Sequence, residues 1–142
     1  MRKIIIKFPI APLSQNKCYR TLPGRTGLVL SRDGKRFKDD VFKCASLFKK
    51  KLATFNSKTD YLSVNYLFMN DFLTKGGAYK QNSDDLDNFI KLFQDAMFDG
   101  LGLNDSNVLE MQAFKRHGKA GIVATIEVKK LTELVPAYDL EL

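Results

Sequence analysis

Histidine and cysteine are nearly missing: one His and two Cys stand among 142 residues. A single histidine, His117, rules out a histidine-rich zinc centre. Cys18 and Cys44 fall in no metal-ligand spacing, so they read as free thiols of a reducing compartment, and a cytoplasmic location is expected. Long apolar runs are missing too. The longest aliphatic stretch, Ile4-Ile5-Ile6, is broken by Lys7, far short of the roughly 20 residues of a membrane helix. Lys7 and Pro9 also interrupt any secretory core after Arg2-Lys3, so neither export nor a membrane partner is expected. No repeat, low-complexity segment or linker divides the chain. No serine, cysteine or histidine nucleophile arrangement is visible, and nothing asks for a nucleotide cofactor.

What is present is a hydrophobic fraction of 44%, with 11 Phe and 5 Tyr, enough for one globular domain over residues 1–142. The net charge of +7 is unevenly spread. Residues 1–58 carry fifteen Lys/Arg against three acids, while residues 59–142 carry eight against thirteen. A basic half beside an acidic half suggests a polyanionic partner held by one part, with metal or chemistry in the other.

Hydrophobic periodicity sets out the elements. Lys3 to Phe8 reads as a strand ended by Pro9 and Pro12, residues 13–26 as a loop, and residues 27–31 as a short strand. After Asp33-Gly34, the stripe Phe37, Val41, Cys44, Phe48, Leu52 and Phe55 predicts a helix with a basic outer side. Tyr61 to Met69 alternates as a strand, and a polar loop follows through Lys75-Gly76-Gly77. A second helix is expected from about Asp87, with Phe89, Ile90, Phe93, Ala96 and Met97 inward and Gly100 and Gly102 at its end. Strands over about 107–116 and 121–129 flank Gly118-Lys119-Ala120-Gly121, which reads as a hairpin connection. The tail over about 131–142 is acidic. The fold class is α+β: a mixed sheet with two main helices laid against it.

Six aspartates fall between 84 and 105, with Lys91 as the one basic residue among them. Asp87, Lys91 and Asp95 are spaced i, i+4 and i+8, which puts them on one helix face. Asp85 precedes the helix in extended chain and can point with Asp87. Asp105 follows a glycine turn that can bring it back. Four carboxylates could thus converge on one or two hard cations, Mg²⁺ or Mn²⁺ rather than Zn²⁺. The plainer reading of each acid alone is a helix cap or a helical ion pair. For all four together that reading weakens, because crowded like charges are costly without a cation. The spacing excludes an EF-hand.

The ordered run Asp85-Leu86-Asp87-Asn88, Lys91, Asp95, Gly100, Asn104-Asp105 and Val108 resembles the signature of the RusA Holliday-junction resolvases. Pro12-Leu13-Ser14-Gln15-Asn16 with Tyr19 is similar to that family's P-x-S-x-N opening, and Ser31 to Lys38 to its S-x-x-G-x-x-[FY]-[KR] segment. The resemblance spans roughly residues 3–129. It implies a homodimeric, Mg²⁺- or Mn²⁺-dependent endonuclease, bacterial or phage-borne, that cuts four-way DNA junctions by paired symmetric nicks in recombination, repair or phage DNA processing. Asp85, Asp87 and Asp105 would be the metal-binding acids and Lys91 the essential lysine, with Asp95 either a further ligand or helix support. Two departures stand out. Asn104 replaces the first Asp of a pair, and Ser83-Asp84 stand where a basic residue is frequent.

Lys17, Arg20, Arg25, Arg36, Lys38, Lys115 and Arg116 are the candidate phosphate contacts. The Asn104 departure motivates one alternative, a branched-DNA-binding protein without turnover. Another branched or flapped DNA as substrate is a second.

Overall fold

The computed structural model describes residues 2–21, 23–24, 27–81, 84–134 and 136. Within them a four-stranded mixed sheet is built from β1 (Arg2–Phe8), β4 (Asp60–Asn70), β5 (Val108–His117) and β6 (Gly121–Lys130). Its order is β1-β6-β4-β5. A small hairpin, β2 (Tyr19–Thr21) with β3 (Leu28–Leu30), stands beside it. The helices are a short α1 (Gln15–Cys18), α2 (Arg32–Ser46) and α3 (Ile90–Leu101). The α+β class with two main helices holds. Most of the acidic tail lies outside the described residues.

Strand alternation decides which face is covered. Leu62, Val64, Tyr66 and Phe68 of β4 are buried with Ile122, Ala124, Ile126 and Val128 of β6 and with Ile6 and Phe8 of β1. The helices lie over that face. Phe93 of α3 meets Phe8, Tyr66 and Phe68 edge-on, with ring centroids 5.2, 5.2 and 5.6 Å apart. Gly100 lets α3 close onto α2: a Cβ there would stand 2.6 Å from the Phe42 carbonyl oxygen and 2.9 Å from Ala45 Cβ. The long α3 crossover also explains why β4 and β5 pair in parallel.

Three expectations change. Residues 118–120 do not join a hairpin, because β4 lies between the two strands they link. β5 pairs with β4 in parallel and β6 pairs with β4 antiparallel. The turn instead caps the end of β4, with the Gly118 N–H donating to the Asn70 carbonyl at 3.1 Å. Four apolar side chains of β4 on one face make it the natural central strand, which a local turn signal does not register.

The first main helix ends at Ser46 rather than continuing to Phe55. The hydrogen bonds tighten there to i→i−3, Phe48 to Ala45 and Lys51 to Phe48, giving a 3-10 turn over Lys49–Leu52 that keeps Leu52 buried. Finally, the 13–26 loop contains α1 and β2.

One carboxylate ties three strand ends together. Asp60 opens β4 and is 3% exposed. It pairs with Arg2 of β1 at 2.7 Å and with Lys130 of β6 at 2.9 Å, and accepts the Asn56 N–H at 3.1 Å. The Lys130 hydrogen bond, then the Asn56 N–H and Arg2, hold its carboxyl far below the usual carboxylate range. A depressed folded-state pKa contributes stability above the unfolded value of about 3.9, and that contribution is lost as the pH falls further. Asp60→Asn should therefore melt at lower temperature at neutral pH and lose less stability than wild type on acidification below about pH 4. Thermal melts from pH 7 to pH 2 measure this. Parallel curves for the two proteins would contradict it.

Candidate active site

The acidic motif enters α3 through a change of backbone. Asp85 is extended, at φ −67°, ψ 151°. Leu86–Phe89 then form a 3-10 turn, and α3 begins at Ile90. Asp87 thus sits in the turn, not in the α-helix proper. Phe89 is buried against Phe68 and Phe72, which fixes the turn to the sheet and leaves Asp85 and Asp87 facing solvent. Among the described residues neither carboxylate takes a hydrogen bond or an ion pair, and the turn has no side-chain cap. The capping role that an aspartate at a helix start commonly fills is therefore not taken by either.

Lys91 and Asp95 lie one turn apart on α3 and pair at 3.0 Å. Gly102, at φ +70°, ends the helix in the left-handed conformation and turns the chain back, so that Asp105 Oδ2 comes 3.9 Å from the same Lys91 Nζ. Asp95, and secondarily Asp105, hold the Lys91 ammonium charged to higher pH than an ordinary lysine. Beneath them the Tyr66 hydroxyl donates to Gln94 Oε1 at 2.6 Å. Burial, and then the Asp105 charge, push that hydroxyl well above its ordinary range, so it stays a donor. Asp95, Asp99, Asn104, Asp105 and Lys38 line one open cleft of about 560 Å³.

The Asn104 side chain holds a turn in place. Its Oδ1 accepts the Ser106 N–H at 2.9 Å and caps the turn that presents Asp105. An amide oxygen does this as well as a carboxylate would. Asp84 is also accounted for. Burial pushes its carboxyl up, but Ser14, Lys17 and Asn16 more than offset this and hold it low. Lys17 stands 3.4 Å from it and Asn16 Nδ2 3.5 Å. The Pro12–Asn16 segment is thereby fastened to the start of the acidic motif.

The donor set is all carboxylate oxygen, with no cysteine or histidine in it, and this fits a hard divalent cation. Among the described residues, however, no three acidic, histidine or cysteine side chains stand together as a group that could hold a metal. Lys91 supplies the reason for Asp105: that carboxylate is turned to an ammonium.

The basic candidates divide. Lys17, Arg20, Arg36 and Arg116 are exposed, and Lys38 is half-buried at the acidic cleft. Arg116 lies over the Phe114 ring at 4.9 Å. Arg25 lies outside the described residues. Lys115 departs from the expectation of a surface phosphate contact: it is on the covered face of β5, opposite Phe68, with its ammonium among aromatic rings. His117 also has a role that its sequence position did not suggest, because Nδ1 accepts the Phe72 and Leu73 N–H groups at 3.2 and 3.3 Å. No helix of the described residues is long and apolar enough to cross a membrane.

A comparison with curated proteins returns no match. A family model described as Endodeoxyribonuclease RusA matches residues 9–129, which takes in the Pro12–Asn16 segment, α2, the whole acidic motif and most of the sheet. With a match across that span, the chain belongs to the RusA family of endodeoxyribonucleases, which act on Holliday junctions.

Proposed function

We propose that this protein is a divalent-metal-dependent resolvase, acting as a homodimer on four-way DNA junctions through paired symmetric nicks. Its setting would be the cytoplasm of a bacterial or phage-infected cell, in recombination, repair or phage DNA processing. The observation that carries the reading is that Asp85 and Asp87, two positions apart and both exposed, take no hydrogen bond or ion pair among the described residues, a few residues before a lysine that pairs with two further acids. Exposed like charges near one another along the chain are tolerable in water and become useful when a cation joins them.

In this reading Asp85, Asp87 and Asp105 would hold Mg²⁺ or Mn²⁺, and Asp95 would either join them or keep Lys91 in place. When bound, the ion supplies Lewis-acid polarisation of a phosphoryl oxygen and a water acidic enough to attack at neutral pH. Lys91, held one helical turn from Asp95 at 3.0 Å, would face the reacting phosphate and donate to the oxygen on which negative charge develops. Lys17, Arg20, Arg36, Lys38 and Arg116 place the backbone; Arg25 is proposed on sequence alone. Two strands related by a twofold axis need two equivalent centres, which a symmetric dimer supplies.

Asp87→Asn should lower cleavage of a synthetic four-way junction in Mn²⁺ by at least about a hundredfold, or roughly 2.7 kcal/mol of barrier. Binding of the uncut junction should hold or tighten, since a negative charge near phosphates is lost. Gel-shift and cleavage assays on one preparation check both, and a sharp loss of affinity would mark Asp87 as structural. An intact junction with wild-type protein would instead favour a binding protein without turnover.

Lys91→Ala should cost about ten- to a hundredfold in the single-turnover cutting rate. It should hardly move the melting temperature, because an exposed i,i+4 pair contributes only a few tenths of a kcal/mol. Unchanged turnover would remove Lys91 from the chemistry.

A further inference from the structure

Lys115 is one anchor of the loop from Asp71 to Gln81, beside His117, whose Nδ1 accepts the Phe72 and Leu73 N–H groups. Lys115 Nζ lies 4.7 Å from the Phe72 ring centroid, 4.8 Å from Tyr79 and 5.8 Å from Phe89. It donates at 2.7 Å to the Tyr79 hydroxyl and at 2.7 Å to the backbone carbonyl oxygen of Asp84. These contacts have a particular placement along the chain. Asp84 immediately precedes Asp85, and Phe89 follows Asp87 by two residues. The two carboxylates, which have no partner among the described residues, are thus bracketed by two points that one ammonium contacts. A lysine among aromatic faces is held by the ring quadrupoles as well as by its hydrogen bonds, so its position is well determined.

From this geometry we infer that Lys115 is a positioning residue for the acidic motif: it sets the 84–89 backbone so that Asp85 and Asp87 present their carboxylates together. The inference rests on the assignment of those two acids made above. Backbone held on either side of a metal-binding pair reduces what the pair loses in ordering when an ion binds. The role differs from a phosphate contact, which would need the ammonium at the surface. It also accounts for a basic residue on the covered face of a strand, where a cation without such contacts would be costly.

Lys115→Met keeps the length and apolar stem while removing the charge, and Lys115→Arg keeps a cation. Hydrogen exchange, read without DNA or metal, tests the anchoring itself. Amides of peptides covering 84–89 should exchange at least about tenfold faster in Lys115→Met, with α2 and the β1–β6 pairing unchanged. Exchange at 84–89 equal to wild type would overturn the inference whatever the protein cuts. On a four-way junction, Lys115→Met should lose about ten- to a hundredfold in the single-turnover rate at saturating protein. Its dissociation constant and the salt dependence of binding should stay near wild type, and Lys115→Arg should recover part of the rate.

The opposite pattern, weaker binding with a salt slope reduced by about one and an unchanged saturated rate, is that of a phosphate contact and would overturn the inference. If Lys115→Met does not fold, Tyr79→Phe removes the hydroxyl acceptor from a half-exposed ring. It should raise exchange at 84–89 in the same direction, and no rise would count against the role. Wild-type protein that leaves the junction intact would refute the resolvase reading while leaving the exchange result standing.

Discussion

The aromatic contact between Phe93 and the sheet governs where everything else points. Three rings, from β1 and β4, meet Phe93 edge-on and fix the rotation of α3 about its own axis. A helix side chain advances about 100° per residue, so a rotation fixed at Phe93 also fixes Lys91 and Asp95 on the far side. Edge-to-face packing is directional, which makes that orientation sharper than aliphatic packing would. Gly100 presses the end of the same helix against α2, and Gly102 then returns the chain so that Asp105 reaches Lys91. A dry core on one side of α3 thus places a wet, acidic surface on the other.

Charge follows the same arrangement. Lys91 serves two acids at once, Asp84 is fastened to the amino-terminal segment, and Asp85 and Asp87 are left to solvent. The basic first half of the chain lies close to this surface: Lys17 reaches Asp84, and Lys38 shares a cleft with Asp95 and Asp105. A polyanion that brings its own cations could be gripped by one set of groups while its scissile phosphate meets the other. The fold therefore brings the uneven charge of the sequence together in space.

Much of this was legible in the residues. The Phe89-to-Met97 stripe marked the helix, the Asp85-to-Asp105 run marked the family, and apolar alternation marked β4. Sheet order was not legible, because a glycine-rich turn signals a reversal of direction without saying whether another strand lies between. The place of Lys115 was not legible for a related reason. Val108 pairs with Leu62 and Glu110 with Ser63, so Leu109 is an extra residue that shifts the alternation of β5 and puts Met111, Ala113 and Lys115 opposite Val64, Tyr66 and Phe68. Nothing local at residue 109 announces a bulge. The contacts of Asp84 and of His117 were hidden likewise, since each partner lies more than forty residues away along the chain.

The central claim is that Asp85 and Asp87 wait for a divalent cation. Calorimetric titration of Mn²⁺ into the wild-type protein and into the Asp85→Asn, Asp87→Asn double variant addresses it without any DNA. Saturable uptake by the wild type, abolished in a double variant that melts at the same temperature, is the predicted result. No uptake by the wild type, or equal uptake by both, would contradict it.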